Sequence, residues 1–137
     1  MASYVKIRQF VEDICNKVHD LANDTLTVGL TTNGNIPLVT NSVLADLTPI
    51  SYTNLSTLVL STVSSTQTTG TYTLVLTDLV LTASGAVATF RHVFIYNDTP
   101  SSPANPLICF FDYGSDVTLA DGETFTIDFG ASLFSLA

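Results

Sequence analysis

The sequence predicts a mainly β chain: an antiparallel β-sandwich of jelly-roll-like type with one N-terminal amphipathic α-helix. Three observations lead there. The first is composition, since 137 residues include 21 Thr and 13 Ser while charged residues reach only 12% and apolar residues 46%. Polarity therefore comes from hydroxyls, and β-branched Thr fits a pleated, half-buried surface better than a helix. The second is rhythm: beyond residue 24, short apolar or alternating runs recur with turn residues between them and no helical pattern. Parallel neighbours would need crossovers of a dozen or more residues, so the pairing is antiparallel. The third is an abrupt change of period at Asp24. It divides the chain into an N-terminal helix and contact segment, residues 1–24, and a β-sandwich domain, residues 25–137, within one unit large enough for a hydrophobic core.

From Tyr4 to Ala22 the apolar residues Ile7, Phe10, Val11, Ile14, Val18 and Leu21 recur at helical spacing. Ser3 is placed to cap this helix, and Asn23 and Asp24 to end it. The stripe covers either the chain's own β domain or a neighbouring subunit. Leu26, Val28 and Leu30 then alternate with Thr27, Gly29 and Thr31, the pattern of a strand with one buried face. Asn41–Ile50 is a connector with room for one helical turn capped by Asn41 or Ser42, because Pro49 stops anything longer. Strands are expected at 55–63, 70–76, 79–83, 86–96, 106–113, 117–119, 123–129 and 133–136. The uncharged tract Ser61–Thr73 reads as a hairpin loop, and no repeat of fixed period points to a solenoid or propeller.

Charge is unevenly placed. Lys6, Arg8 and Lys17 lie in the first seventeen positions, whereas residues 18–137 carry ten acids against Arg91 alone, within a net charge of −8. Nucleic acid is an unsuitable ligand, since phosphate neutralisation needs clustered Lys or Arg. No run has the h-region of a signal peptide or the 18 apolar residues of a membrane span. Cys15 and Cys109 fall in helix and strand patterns and read as small packing residues, which leaves the redox compartment open.

Catalytic and metal signatures are weak. His19 and His92 have no partner at metal-ligand spacing, no glycine-rich phosphate loop follows a strand, and no Ser sits in a nucleophile elbow. In the strand around Arg91 and His92 one side chain points inward, with His92 expected to bond a backbone carbonyl. Asp112, Asp116, Asp121, Glu123 and Asp128 crowd into seventeen residues and raise the question of calcium, but they lack the alternate-position carboxylates of an EF-hand loop. No cofactor is expected. Asn23, Asn54 and Asn97 match the glycosylation pattern, a cheap match in a chain so rich in Ser and Thr.

The order of segments carries a resemblance. A helix ending in VHDLANDTLTVGLT (residues 18–31) is followed by NSVLADLTPI (41–50), FRHVFIYNDT (90–99), PLICFFDYG (106–114) and TLADGETFTIDF (118–129). Together they resemble small structural proteins of tailed bacteriophages, the kind found among head genes and including capsid decoration, or cement, proteins. The resemblance implies a non-enzymatic virion protein, made in the host cytoplasm, that binds the outer capsid surface as a homotrimer and stabilises joints between major capsid protein subunits. Neither nucleic acid nor membrane is implied as a partner. On that expectation Lys6, Arg8, Phe10 and Lys17 form the interface with the capsid or a sister subunit, and the charge separation is the motive for choosing them. A tail, neck or connector component is the alternative within the same class. A carbohydrate-binding or adhesin module is the alternative from another class, although the chain has no Trp to build a sugar platform.

Overall fold

A computed structural model describes residues 3–137. Strands take 43% of the chain and helix 8%, and every strand pair is antiparallel, so the protein is mainly β with one short helix. In chain order the elements are β1 (Val5–Lys6), α1 (Arg8–Cys15), β2 (Leu26–Thr31), a 3-10 turn (Leu44–Asp46), β3 (Thr62–Thr68), β4 (Thr71–Leu76), β5 (Leu79–Thr82), β6 (Phe90–Asn97), β7 (Leu107–Val117), β8 (Thr124–Ile127) and β9 (Phe134–Leu136). They form a four-stranded sheet β1-β7-β6-β2, a three-stranded sheet β3-β4-β9 and a two-stranded sheet β5-β8. Tyr4 and Phe10, from the four-stranded side, pack their rings on Phe134 of β9, which holds the layers together sandwich-fashion.

The central sheet is built around β2, where all six residues are buried. Leu26, Val28 and Leu30 supply the expected apolar face. The other face is buried too, because Gly29 lies opposite Phe94 of β6 and a side chain there would overlap the Phe94 ring. Glycine and aromatic thus interlock across the strand pair. The expected strand at 55–63 is realised as a bridging segment. Its residues pair in succession with β5 (Leu55 with Ala83), with the free edge of β2 (Val59 with Thr27) and with β4 (Thr62 with Leu76). It ties the three sheets into one core that includes Leu74, Leu81, Phe90, Ile95 and Ile108.

The N-terminal segment differs from the expected long helix. Val5 and Lys6 pair with Phe110 and Cys109 of β7, so the helix begins at Arg8 after Ile7, and Ser3 does not cap it. It ends at Cys15 in a Schellman motif: Val18 N–H donates to Asp13 C=O at 2.9 Å and Lys17 N–H to Ile14 C=O at 3.3 Å. Lys17 takes the left-handed position, φ 63°, usually held by glycine. Residues 5–15 are therefore built into the β body and are not a free arm. The 3-10 turn sits where one was expected, but the capping acceptor is the Asp46 carboxylate, which takes the N–H groups of Ser42 and Val43. Asn41 instead accepts from Leu38 N–H.

The tract 61–73 is mostly strand, with only Thr69 and Gly70 turning between β3 and β4. The runs 106–113 and 117–119 merge into β7, but not evenly. His92 pairs with Asp112 and Phe90 with Val117, so Tyr113–Asp116 stand opposite Arg91 alone and project as a bulge.

Candidate functional site

An open apolar groove with one exposed cation, Lys6, in its wall lies between two sheet edges. β1 is one edge of the four-stranded sheet and β9 one edge of the three-stranded sheet. The two do not pair, and between them opens a groove of about 410 Å³, walled by Tyr4 and Lys6 from β1, Val11, Ile14 and Cys15 from α1, and Phe134 and Leu136 from β9. Val11 is 47% and Leu136 39% exposed. The Tyr4 ring lines this wall while its hydroxyl is buried behind it without a hydrogen-bond partner, and burial pushes it well above the ordinary phenol range.

Of the four residues expected at an interface, three are on the surface and one is not. Lys6, Arg8 and Lys17 are exposed and make no salt bridge among the described residues. Phe10 is 0% exposed, with its ring edge-on to Phe134 at 5.4 Å and to His19 at 5.1 Å. It is a core residue of its own chain, which corrects its assignment as a contact residue: the helix uses Phe10 inward and leaves Val11 and Cys15 outward. Those two outward positions were missed because the helical stripe does not say which flank stays uncovered.

Behind the helix lies a buried polar network. The Asn97 amide donates to His19 Nδ1 at 3.0 Å and to Asp24 Oδ2 at 2.6 Å, while Gln9 donates to Asp13 Oδ1 at 3.2 Å. His19 Nε2 and Asp13 Oδ2 remain without partners. Burial lowers the His19 pKa, and Asp13 and Asp24 only partly offset it. The ring is thus held neutral, with its Nδ1 lone pair accepting from Asn97 and the proton on Nε2.

Three of the five acids that crowd together in sequence are tied into local hydrogen bonds. Asp112 accepts from Arg91 Nε at 2.9 Å and from Gly114 N–H, Glu123 accepts from Ala120 N–H, and Asp128 from Gly130 N–H. The Arg91 hydrogen bond, helped by Gly114, draws the Asp112 pKa down to about 2. No group of three or more His, Cys, Asp or Glu side chains among the described residues could hold a metal ion. His92 lies inward, opposite Thr31 on one side and Asp112 on the other, with Nδ1 3.9 Å from Asp112 Oδ1. Neither ring nitrogen bonds anything, contrary to the expected backbone carbonyl, and the fully buried Thr31 hydroxyl is also unbonded.

A second, smaller groove of about 270 Å³ runs beside the bulge, lined by Val93, Phe111, Tyr113, Phe125, Asp128 and Phe129. Tyr113 packs edge-on to Phe125 at 5.1 Å yet stays 52% exposed. Tyr4 meets Phe111 edge-on at 6.0 Å, so one ring pair joins the two grooves. Both grooves are mainly apolar, and the charge beside them changes sign from the Lys6 end to the Asp116 and Asp128 end. Among the described residues no helix is long and apolar enough to cross a membrane. No protein-family model, curated protein or solved structure matches the chain.

Proposed function

We propose that the protein is a non-enzymatic structural subunit of a bacteriophage virion, a decoration protein that binds the outer capsid surface as a homo-oligomer and stabilises joints between major capsid subunits. One observation carries the reading: an open apolar groove has in its wall Lys6, an exposed cation that makes no salt bridge among the described residues of an otherwise acidic chain. An apolar centre with a charged rim is the anatomy of a protein-binding surface. Repeated copies on an assembled shell turn modest contacts into substantial stabilisation, because each bound copy favours the assembled state by mass action. The resemblance in segment order to phage head proteins supplies the class of partner.

The test is to add the purified protein to capsids that lack it and to measure retention and shell melting. Retention with a raised melting temperature is expected, weakening with salt as exposed charges are screened. No retention at micromolar concentration overturns the proposal.

A further inference from the structure

The groove between β1, α1 and β9 exposes apolar side chains, and the β7 bulge exposes an aromatic one. Val11 and Leu136 mark the groove. Tyr113 is the one exposed aromatic residue among the described residues, and Asp116 beside it is exposed and makes no salt bridge. Resting on the homo-oligomeric part of the reading above, we propose that the groove of one copy receives the Tyr113–Asp116 bulge of a second copy. The Tyr113 ring lies on Val11 and Leu136, and the Asp116 carboxylate meets Lys6.

Charge selects this occupant over others. The groove wall carries Lys6, which has no acid partner among the described residues, and the bulge combines an aromatic anchor with the Asp116 carboxylate. The other exposed apolar loop, Ile36–Leu38, has no charged residue between Lys17 and Asp46 except Asp20 and Asp24, which are tied into the turn and the Asn97 network. A Tyr seated in an apolar pocket with a charge pair at its rim is the arrangement that concentrates binding energy. Used reciprocally, groove and bulge give a two-fold dimer; used once per copy they give a heterologous contact that closes as a ring, and the measured mass separates the two.

The experiment uses the full chain. Sedimentation over a range of concentrations gives the mass, and Cys15, the exposed thiol in the groove wall, reports its covering, since Cys109 is fully buried. The expected result is a closed oligomer in which thiol labelling slows about tenfold once the protein associates. Tyr113→Ala, Lys6→Glu and Asp116→Lys each weaken association at least about tenfold with circular dichroism unchanged, and Lys6→Glu combined with Asp116→Lys restores it. A monomer at every concentration overturns the inference, as does an oligomer indifferent to all three substitutions, which would place Ile36–Leu38 or another surface at the contact. Self-association as described without retention on capsids sinks the capsid reading and leaves this contact standing. Retention as a monomer does the reverse.

Discussion

β3 and β9 are the two edges of one three-stranded sheet, yet they meet their surroundings differently. β3 runs seven residues, six of them hydroxyl or amide residues, and its one apolar side chain, Val63, is 63% exposed beside a break in register. β9 runs three residues, buries Phe134 among Tyr4, Phe10 and Tyr72, and leaves Leu136 at an open apolar groove. A long edge is a template for unwanted pairing, and β3 blunts it with polarity and a bulge. A short edge beside an apolar cleft is suited to a chosen partner. The hydroxyl-rich composition therefore marks solvent edges, and the few aromatics mark where the molecule packs or docks.

The largest expected effect tests the core side of that contrast. Phe134→Ala removes the ring shared by Tyr4, Phe10 and Tyr72 and should cost about 3–5 kcal/mol in denaturant unfolding. Val63→Ser on β3 should stay within about 0.5 kcal/mol of wild type. Equal losses at the two positions would erase the distinction between the edges. Gly29→Ala, which drives a methyl into Phe94, should fall between them at about 1–3 kcal/mol, because the central sheet cannot yield there.

A smaller effect comes from pH. Burial lowers the His19 and His92 pKa values, so the folded state binds fewer protons than the unfolded chain, whose histidines titrate at about 6.5. Their neutral forms favour folding fully above that value, and the contribution is lost as pH falls through and below it. Melting temperature should therefore drop between about pH 7 and 5. His19→Gln should flatten part of that slope. Because His19 rests on Phe10, hydrogen exchange at acid pH should quicken in α1 before it does in the β3–β4 hairpin. An unchanged profile in the variant would show that the Asn97 network does not govern the helix.

Much of the fold was legible because it is periodic. Leu26, Val28 and Leu30 announced β2, and the break at Gly114–Asp116 was visible, although not that it lies within one continuous strand. The misread parts depend on distant partners. Val5 and Lys6 fit a helical stripe, and only pairing with residues more than a hundred positions away makes them a strand. Lys17 holds a helix-ending position that composition signals only when glycine fills it. The candidate site was half legible: basic residues stand out in an acidic chain, whereas the groove arises from two chain ends meeting. Phe10 was assigned to the wrong side because a stripe gives a direction on a helix and not what lies opposite.

The smallest expected effect sits at the tip of the solvent edge. Thr69 and Gly70 close the β3–β4 hairpin with φ 49° and 87°, the pair of positive angles of a type I′ turn. Gly70 adopts its angle freely, but a β-branched residue at the first position crowds its own backbone, offset only by the Thr69 hydroxyl bond to Thr68 C=O at 2.8 Å. Thr69→Asn keeps a polar side chain that tolerates the left-handed region, so it should stabilise the fold by up to about 1 kcal/mol, read as a melting rise of a few degrees. The same variant should leave oligomer mass and Cys15 labelling as they are. If the oligomer changes as well, the hairpin edge touches a neighbour, and β3 is no longer the solvent-facing member of the pair.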